Sequence, residues 1–543
     1  MICSTRVFSA MGGENFEGFT LVSRSRSLLQ RLESLNNILT GMTSGLDLKI
    51  QDAQQQVQRM GAMCGLAVLP SEVVTNMFLF AVHGSPLNTP RALVSMNLSH
   101  VCRGFRALVL ANPHFWSTIN STPRRPELGL IGACVQRSKD RPLDIHLNLY
   151  TSKVQYPTPA GFALQRIHLE CDQVLSLLLP HIQRWRSLHL HFVEAEGFSG
   201  STEIFEHVGG ALFPMLEKIG EYHHWLEKDG SDRDMKYLSS WNTPALSTLS
   251  VYDCLPRTVV SIASITVFHA TLFALYDVVE SLDLLNKMQS LSELYFDISG
   301  YHRFKIEKQD MDRLAVHDRV VLGNVKKFTL CFASHHATDE KEEEFERLYA
   351  IFSKLQAPIA THVRLEGRRN AIPRYAKHSL DLHRLLFNLP VNFPKVVDCD
   401  MAINGKSDST SRNTTFPLHF PTGLEVLRFA CNTSLSFPEG DAEVVVFDLN
   451  HFRELKLHSS PKCNTSAVKD WVRWMVDNAQ LHGAWQSFEK LVVNTCTERD
   501  HRDGCECEET ILRDNVIDWC DKPEYRRFPR NVGDRGDPDG WSD

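Results

Sequence analysis

The residues of this chain that could do chemistry are few, and their spacing suits it poorly. Lys406 lies in Ile403-Asn404-Gly405-Lys406-Ser407-Asp408, which has the Gly-Lys-Ser end of a phosphate-binding loop. Such a loop needs a glycine five residues before Gly405, and Asp400 stands there, so the backbone amides cannot wrap a phosphate. His501, Cys505 and Cys507, with Cys496 and Cys520 nearby, offer soft ligands of the kind zinc takes. They form a single Cys-x-Cys rather than the paired Cys-x-x-Cys knuckles of a closed tetrahedral site, so no metal is expected. No Gly-x-Ser-x-Gly elbow, His-Glu-x-x-His helix or Gly-x-Gly-x-x-Gly turn occurs, which removes the readiest routes to hydrolase, metalloprotease and dinucleotide chemistry. The acidic run from Lys341 reads as a solvated helix face with Phe345 and Leu348 on its buried side. No catalytic residue and no cofactor are expected, which leaves binding as the function to seek.

Bulk properties narrow the partner. The chain has 543 residues, 43 % of them hydrophobic and 23 % charged, an ordinary balance for a folded protein that must divide into domains or extend as an array. With 58 Lys+Arg against 65 Asp+Glu, the net charge of -7 leaves no large basic face for nucleic acid or an anionic membrane. Protein partners are expected. The 14 cysteines lack the regular spacing of a disulfide scaffold, and Cys102, Cys171 and Cys431 sit beside apolar residues, as buried reduced thiols do. Gly12, Gly13, Glu14 and Glu17 interrupt any apolar signal core, and no run of about 18 apolar residues occurs. A cytoplasmic or nuclear location is expected, with the sequons at Asn97, Asn413, Asn432 and Asn464 as chance matches.

Two helical stretches come first. After a disordered segment expected over 1–20, a helical or coiled-coil segment over 21–66 carries Leu28, Leu32, Leu35, Leu39, Met42 and Leu46 on one seam. The register then slips and continues through Ile50, Ala53, Val57 and Met60, with Gly41 and Gly45 near the slip. Two helices joined there, packing as a hairpin on the next module, and one irregular self-associating coil both fit this pattern. The module over 67–120 opens with Pro70 and Glu72, which suit a helix start, and Val73, Val74, Met77, Phe78, Phe80, Ala81 and Val82 make that helix apolar on more than one side. A polar loop, HGSPLNTP, separates it from a longer helical zone over 90–110. There Leu93, Val94, Leu98, Val101, Phe105 and Leu108 form a stripe that ends at Asn112-Pro113. Such a module has more apolar surface than it can bury.

Leu69, Pro70 and Glu72, then Val101, Cys102, Arg103, Phe105 and Arg106, then Pro113 and Trp116 follow one another in a familiar order. The arrangement resembles the F-box, with two departures: HGSPLNTP lengthens the first loop, and Phe105 replaces a more usual Trp. The segment CVQRSKDRPLDIHLNL from Cys134 and the segment LLPHIQRWRSLHL from Leu178 are similar to segments that follow the F-box in fungal, basidiomycete-type F-box-like proteins. The resemblance covers roughly the first 190 residues. It implies a substrate-recognition subunit of a ubiquitin ligase, docked on a Skp-type adaptor and through it on cullin and RING subunits. By the same resemblance the adaptor contacts are Leu69, Pro70, Val73, Val74, Phe78, Leu98, Val101, Cys102, Phe105 and Leu108, while Trp116 anchors the module to the repeat region beyond it.

The region over 121–500 carries a recurrent apolar-x-x-apolar signature, often extended by x-apolar. It occurs at Trp185-Leu188-Leu190, Leu216-Ile219, Leu246-Leu249-Val251, Leu291-Leu294-Phe296, Val325-Phe328-Leu330, Ala360-Val363-Leu365, Phe393-Val396, Leu424-Leu427-Phe429, Phe452-Leu455-Leu457 and Phe488-Leu491-Val493. The spacing is 28 to 36 residues with one gap of 45, which leaves room for a further unit near Phe268. Helical candidates at Val278 to Met288, Lys341 to Leu355, Leu380 to Leu389 and Ala467 to Ala479 alternate with these strands. The expected fold class is α/β: an N-terminal helical segment and three-helix module, then an irregular leucine-rich-repeat-like α/β solenoid with parallel strands. A compact α/β domain with repetitive strands is the alternative. The segment over 501–543 is expected to be largely disordered after 521, being rich in Arg, Asp, Gly and Pro. If the F-box-like module packs internally, the chain is instead a repeat scaffold that recruits no ligase.

Overall fold

The computed structural model describes residues 15–67, 69–85, 90–121, 127–150, 173–193, 205, 208–224, 235–252, 255–256, 259–272, 275–298, 308–333, 349–368, 389–404, 413–415, 420–431, 434–436, 451–459, 465–481, 483–494 and 508–521. Lys406, the acidic run from Lys341 to Glu346, and His501, Cys496, Cys505 and Cys507 lie outside them. Most of the Leu380 to Leu389 helical candidate does too.

The first helix, α1, runs unbroken from Asn15 to Ala67. The two-helix hairpin is therefore corrected: the chain passes straight through Gly41 and Gly45. Each glycine costs a helix about 1 kcal/mol relative to alanine, but restarting a helix also costs a new nucleus. Around the glycines the hydroxyls of Thr40, Thr43 and Ser44 donate to carbonyls one turn back, at 2.8, 2.5 and 2.9 Å. The seam residues from Leu28 to Met60 remain exposed, so α1 does not pack back on the next module.

Helices α2 (Ser71–His83), α3 (Arg91–Val101), α4 (Arg103–Ala111) and α5 (Leu128–Arg137) come next. Pro70 and Pro90 each stand just before a helix, and their carbonyls accept the first helical N–H bonds, from Val73 at 3.0 Å and Leu93 at 2.9 Å. The single helical zone expected over 90–110 is broken at Cys102, whose backbone is extended between α3 and α4. The Cys102 thiol accepts from Phe105 N at 3.4 Å as the cap of α4, and Arg106 Nε donates to the Ser99 carbonyl at 3.2 Å near the end of α3. Both helix ends are satisfied at the break. Asn112 then caps the short 3-10 turn Pro113–Trp116 by accepting from His114 N at 3.0 Å.

Beyond that turn a 14-stranded open sheet takes its strands in chain order. They are β1 (Thr118–Ser121), β2 (Leu143–Tyr150), β3 (Trp185–Val193), β4 (Lys218–His224), β5 (Thr248–Tyr252), β6 (Val267–Thr271) and β7 (Glu293–Asp297). Next come β8 (Lys327–Ala333), β9 (His362–Arg368), β10 (Asp398–Asn404), β11 (Val426–Cys431), β12 (Glu454–Ser459), β13 (Lys490–Asn494) and β14 (Glu508–Leu512). Every neighbouring pair is parallel except the last, β13 with β14, which is antiparallel. Parallel neighbours need a return segment, and helices such as α6 (Leu275–Lys287), α7 (Lys308–Val316) and α8 (Thr465–Leu481) supply it. The molecule is a mixed α/β protein with a large, mostly parallel sheet and no closed barrel.

Strand alternation sorts the side chains. Ile145, Leu188, Ile219, Leu249, Phe268, Leu294, Phe328, Val363, Cys399, Leu427, Leu455 and Leu491 form one register row, and all are buried on one face of the sheet. The expected unit near Phe268 is present as β6. The signature placed at Phe393-Val396 needs correction, because the strand in that unit carries Val396-Cys399-Met401, three residues later. A continuous apolar core runs from Val74 in α2 to Val516 in a last helix, α9 (Val516–Asp521), so the N-terminal helices and the sheet share it.

Candidate functional site

The three segments that carry the resemblance meet at the first edge of the sheet. Trp116 is fully buried, its Nε1 donates to the Val109 carbonyl of α4 at 2.9 Å, and the Arg137 guanidinium of α5 lies 4.5 Å from its ring centre. Ser138, next in sequence, is buried and accepts from Arg184 Nη2 at 2.6 Å, while Arg184 Nε donates to the Arg141 carbonyl at 3.0 Å. Trp185 is also buried and donates to the Leu178 carbonyl at 3.3 Å. Arg137, Ser138, Arg184 and both tryptophans thus join the helices to β2 and β3.

The residues expected to contact a partner separate by exposure. Helix α2 has two apolar stripes: Val74, Phe78 and Val82 step by four on the buried side, and Val73, Met77 and Phe80 are exposed, as is Leu69 just before the helix. Val74 and Phe78 present no free surface, and the Phe78 ring meets Phe105 edge-on at 4.6 Å. Phe105 thereby serves the core of the helical module. Pro70 and Val101 are exposed, while Leu98, Cys102, Phe105 and Leu108 are half-buried. Phe80 is 82 % exposed and is not among the expected contacts, although it stands on the outer side with Met77.

The open face of the sheet is polar, and apolar periodicity gives no warning of it. One register row runs His146, His189, Gly220, Ser250, His269 and Tyr295 across β2 to β7, and the next runs Asn148, His191, Tyr222, Tyr252, Thr271 and Asp297. His146 and His189 stack at 4.6 Å with planes 5° apart, and His191 stacks on Tyr222 at 4.5 Å. Burial holds His146 and His189 at about 4, Asp144 opposing it for both, so both rings are neutral at pH 7. Burial also opposes ionisation of Asp144, but hydrogen bonds from Arg186 and Ser187 outweigh it and hold that carboxyl below its usual value. Toward the far end the face becomes charged. There Arg428 pairs with Asp398, Arg364 lies 3.6 Å from Asp400, and Lys490 lies 3.1 Å from Glu454. The only sequence signal for this face is alternation, one polar or aromatic residue between the two apolar positions of each strand.

Gly220 makes the aromatic ladder possible. A Cβ there would stand 2.5 Å from His189 Nδ1 and 2.9 Å from Tyr222 Cε2. Gly220→Ala should therefore displace His189 from its stack and cost about 1–3 kcal/mol, as overpacking does. Thermal denaturation with imidazole NMR shifts checks it, and unchanged shifts at His146 and His189 would contradict it.

Among the described residues no group of three or more His, Cys, Asp or Glu is placed to hold a metal, and no helix is long and apolar enough to cross a membrane. The described thiols of Cys102, Cys134, Cys331, Cys399 and Cys520 are unbridged, and burial pushes Cys134 up to about 12, which keeps it protonated. No family model matches the chain, and no curated protein matches it.

Proposed function

We propose that the protein is a non-catalytic receptor subunit of a ubiquitin ligase, in which an F-box-like module docks a Skp-type adaptor and the sheet holds a protein substrate. The observation that carries this reading is the exposed outer stripe of α2, Val73, Met77 and Phe80, continued by Leu69 just before the helix, while the other apolar stripe of α2 already fills the core. Exposed apolar groups set together mark a protein interface. Leu69, Val73, Met77 and Phe80 form the centre of the docking face, with Pro70 and Val101 beside them. Leu98, Cys102 and Leu108 contribute their exposed portions, while Val74, Phe78 and Phe105 hold the helices in place. Fully burying an exposed large side chain contributes about 1.5–3 kcal/mol, and Leu69, Val73 and Met77 are already more than half covered, so the flanking residues must add to these four to offset the cost of association.

The sheet is read as a degenerate leucine-rich-repeat-like solenoid whose open face, with its His and Tyr rows, contacts the substrate. The ligase then works by proximity, in the cytoplasm or nucleus, bringing the substrate to cullin and RING subunits. The burial of Val74 and Phe78 against Phe105 favours a second reading, a repeat scaffold whose module is self-contained.

Co-purification with a Skp-type adaptor decides between them. The intact chain should form a stoichiometric complex, and Val73→Glu with Phe80→Glu should weaken it by at least about tenfold, since burying an unpaired charge costs several kcal/mol. Both positions are exposed, so the melting temperature should stay nearly unchanged. An intact chain that binds no such adaptor, or a double variant that binds equally well, would overturn the proposal.

A further inference from the structure

We infer that α1 pairs in parallel with α1 of a second copy of this chain, closing a two-stranded coiled coil from Leu28 to Met60. The seam takes steps of four and three through Leu28, Leu32, Leu35, Leu39, Met42 and Leu46, then through Ile50, Ala53, Val57 and Met60. None of the ten positions is charged, and the nine larger side chains are 52 to 64 % exposed. A seam repeating every 3.5 residues is shaped for another helix, since only a helix offers holes at that interval. The apolar seam spans more than four heptad lengths, with a single shift of register between Met42 and Ile50.

The size fits a dimer. The seam is about 50 Å long, and closing it would hide on the order of 800 Å² on each helix, the half-share of an ordinary specific interface. In the second half, Ile50 and Val57 fall at the a positions and Leu46, Ala53 and Met60 at d, and β-branched residues at a favour two parallel strands. Flanking charges permit self-pairing. In parallel register Arg31 faces Asn36 of the second copy and Lys49 faces its Gln54, so no like charges meet across the seam. The two successive four-residue steps from Met42 to Ile50 locally unwind the supercoil without interrupting the apolar seam.

Parallel pairing puts both helical modules just beyond the same end of the coil, because Leu69 follows α1 by two residues. The dimer would thus present its α2 faces and its sheets in pairs and bind a repeated partner with avidity. The inference stands whatever the α2 face binds.

Light scattering on the full chain tests it. At micromolar concentration the chain should run at twice its 61.8 kDa mass, and Leu32→Lys with Leu39→Lys should return it to single-chain mass with an unchanged melting transition of the sheet. Ser25 occupies the a position one turn before Leu28 and Cys64 the a position after Val57, so in a Cys64→Ser chain mild oxidation of Ser25→Cys should give a covalent dimer that Cys64→Ser alone does not. A single-chain mass for the parent, or a dimer that survives both lysines, overturns the pairing. A dimer that fails to cross-link through position 25 overturns the parallel orientation.

Discussion

Trp116→Ala is expected to cost about 3–5 kcal/mol, the range for removing a large aromatic side chain from a packed interior. Its ring is fully buried and its neighbours Phe115 and Ile119 are nearly so, which leaves little room for the site to collapse around the loss. The substitution also removes the donor to the Val109 carbonyl and the ring beneath Arg137. Arg137 would then face a cavity. Because α4 and α5 both lean on this indole, the damage should appear first in the helices before β1 and then in the sheet. Trp116→Phe keeps most of the packing and loses the hydrogen bond, so a smaller cost of about 1–2 kcal/mol is expected. Urea denaturation measures both. A Trp116→Ala loss under about 1 kcal/mol would show that the indole does not join the two parts.

Acid should destabilise the protein well before its carboxylates titrate. His146 and His189 are held at about 4 in the folded chain, against an ordinary value of 6.5. Between those values the unfolded chain binds protons that the folded chain refuses, so stability is complete above about 6.5 and declines as the pH falls toward 4. The rings stack on one another, and charging both would set two cations face to face. After allowance for partial exposure, each imidazole contributes on the order of 2 kcal/mol to this decline. Asp144 acts in a lower window, since its folded value lies below the usual 3.8 and its contribution is lost only beneath that. His146→Gln with His189→Gln should flatten the decline from pH 6.5 to pH 4. Equal loss in parent and variant over that range, measured by urea midpoints, would rule out this origin.

Apolar periodicity makes most of the sheet legible in the sequence alone. The triads at Trp185, Leu246, Leu291, Val325, Ala360, Leu424, Phe452 and Phe488 each run into a strand, because residues buried under a return segment repeat their spacing in the chain. The unit at Val396 is misframed by three residues, since Asp398 and Asp400 flank Cys399 and dilute its apolar signal. Helix α1 is ambiguous because two glycines weaken propensity locally while a helix propagates cooperatively. The aromatic rows are illegible for another reason. His146 and His189 are 43 residues apart, and only cross-strand register makes them neighbours. Exposure of the α2 residues is equally hidden, since the sequence shows that a helix has two apolar sides but not which one the core takes.

Among the described strands of the large sheet, the one that runs the other way stands at its last edge. A sheet made only of parallel strands in chain order leaves a last edge that any similar strand could extend, and such an edge invites end-to-end growth into fibres. β14 runs the other way and carries Glu508 and Glu509 on that edge, with α9 directly behind it. At the opposite edge β1 is packed by the N-terminal helices through Trp116. Charge on one described edge and packed helices on the other both disfavour polymerisation by strand addition.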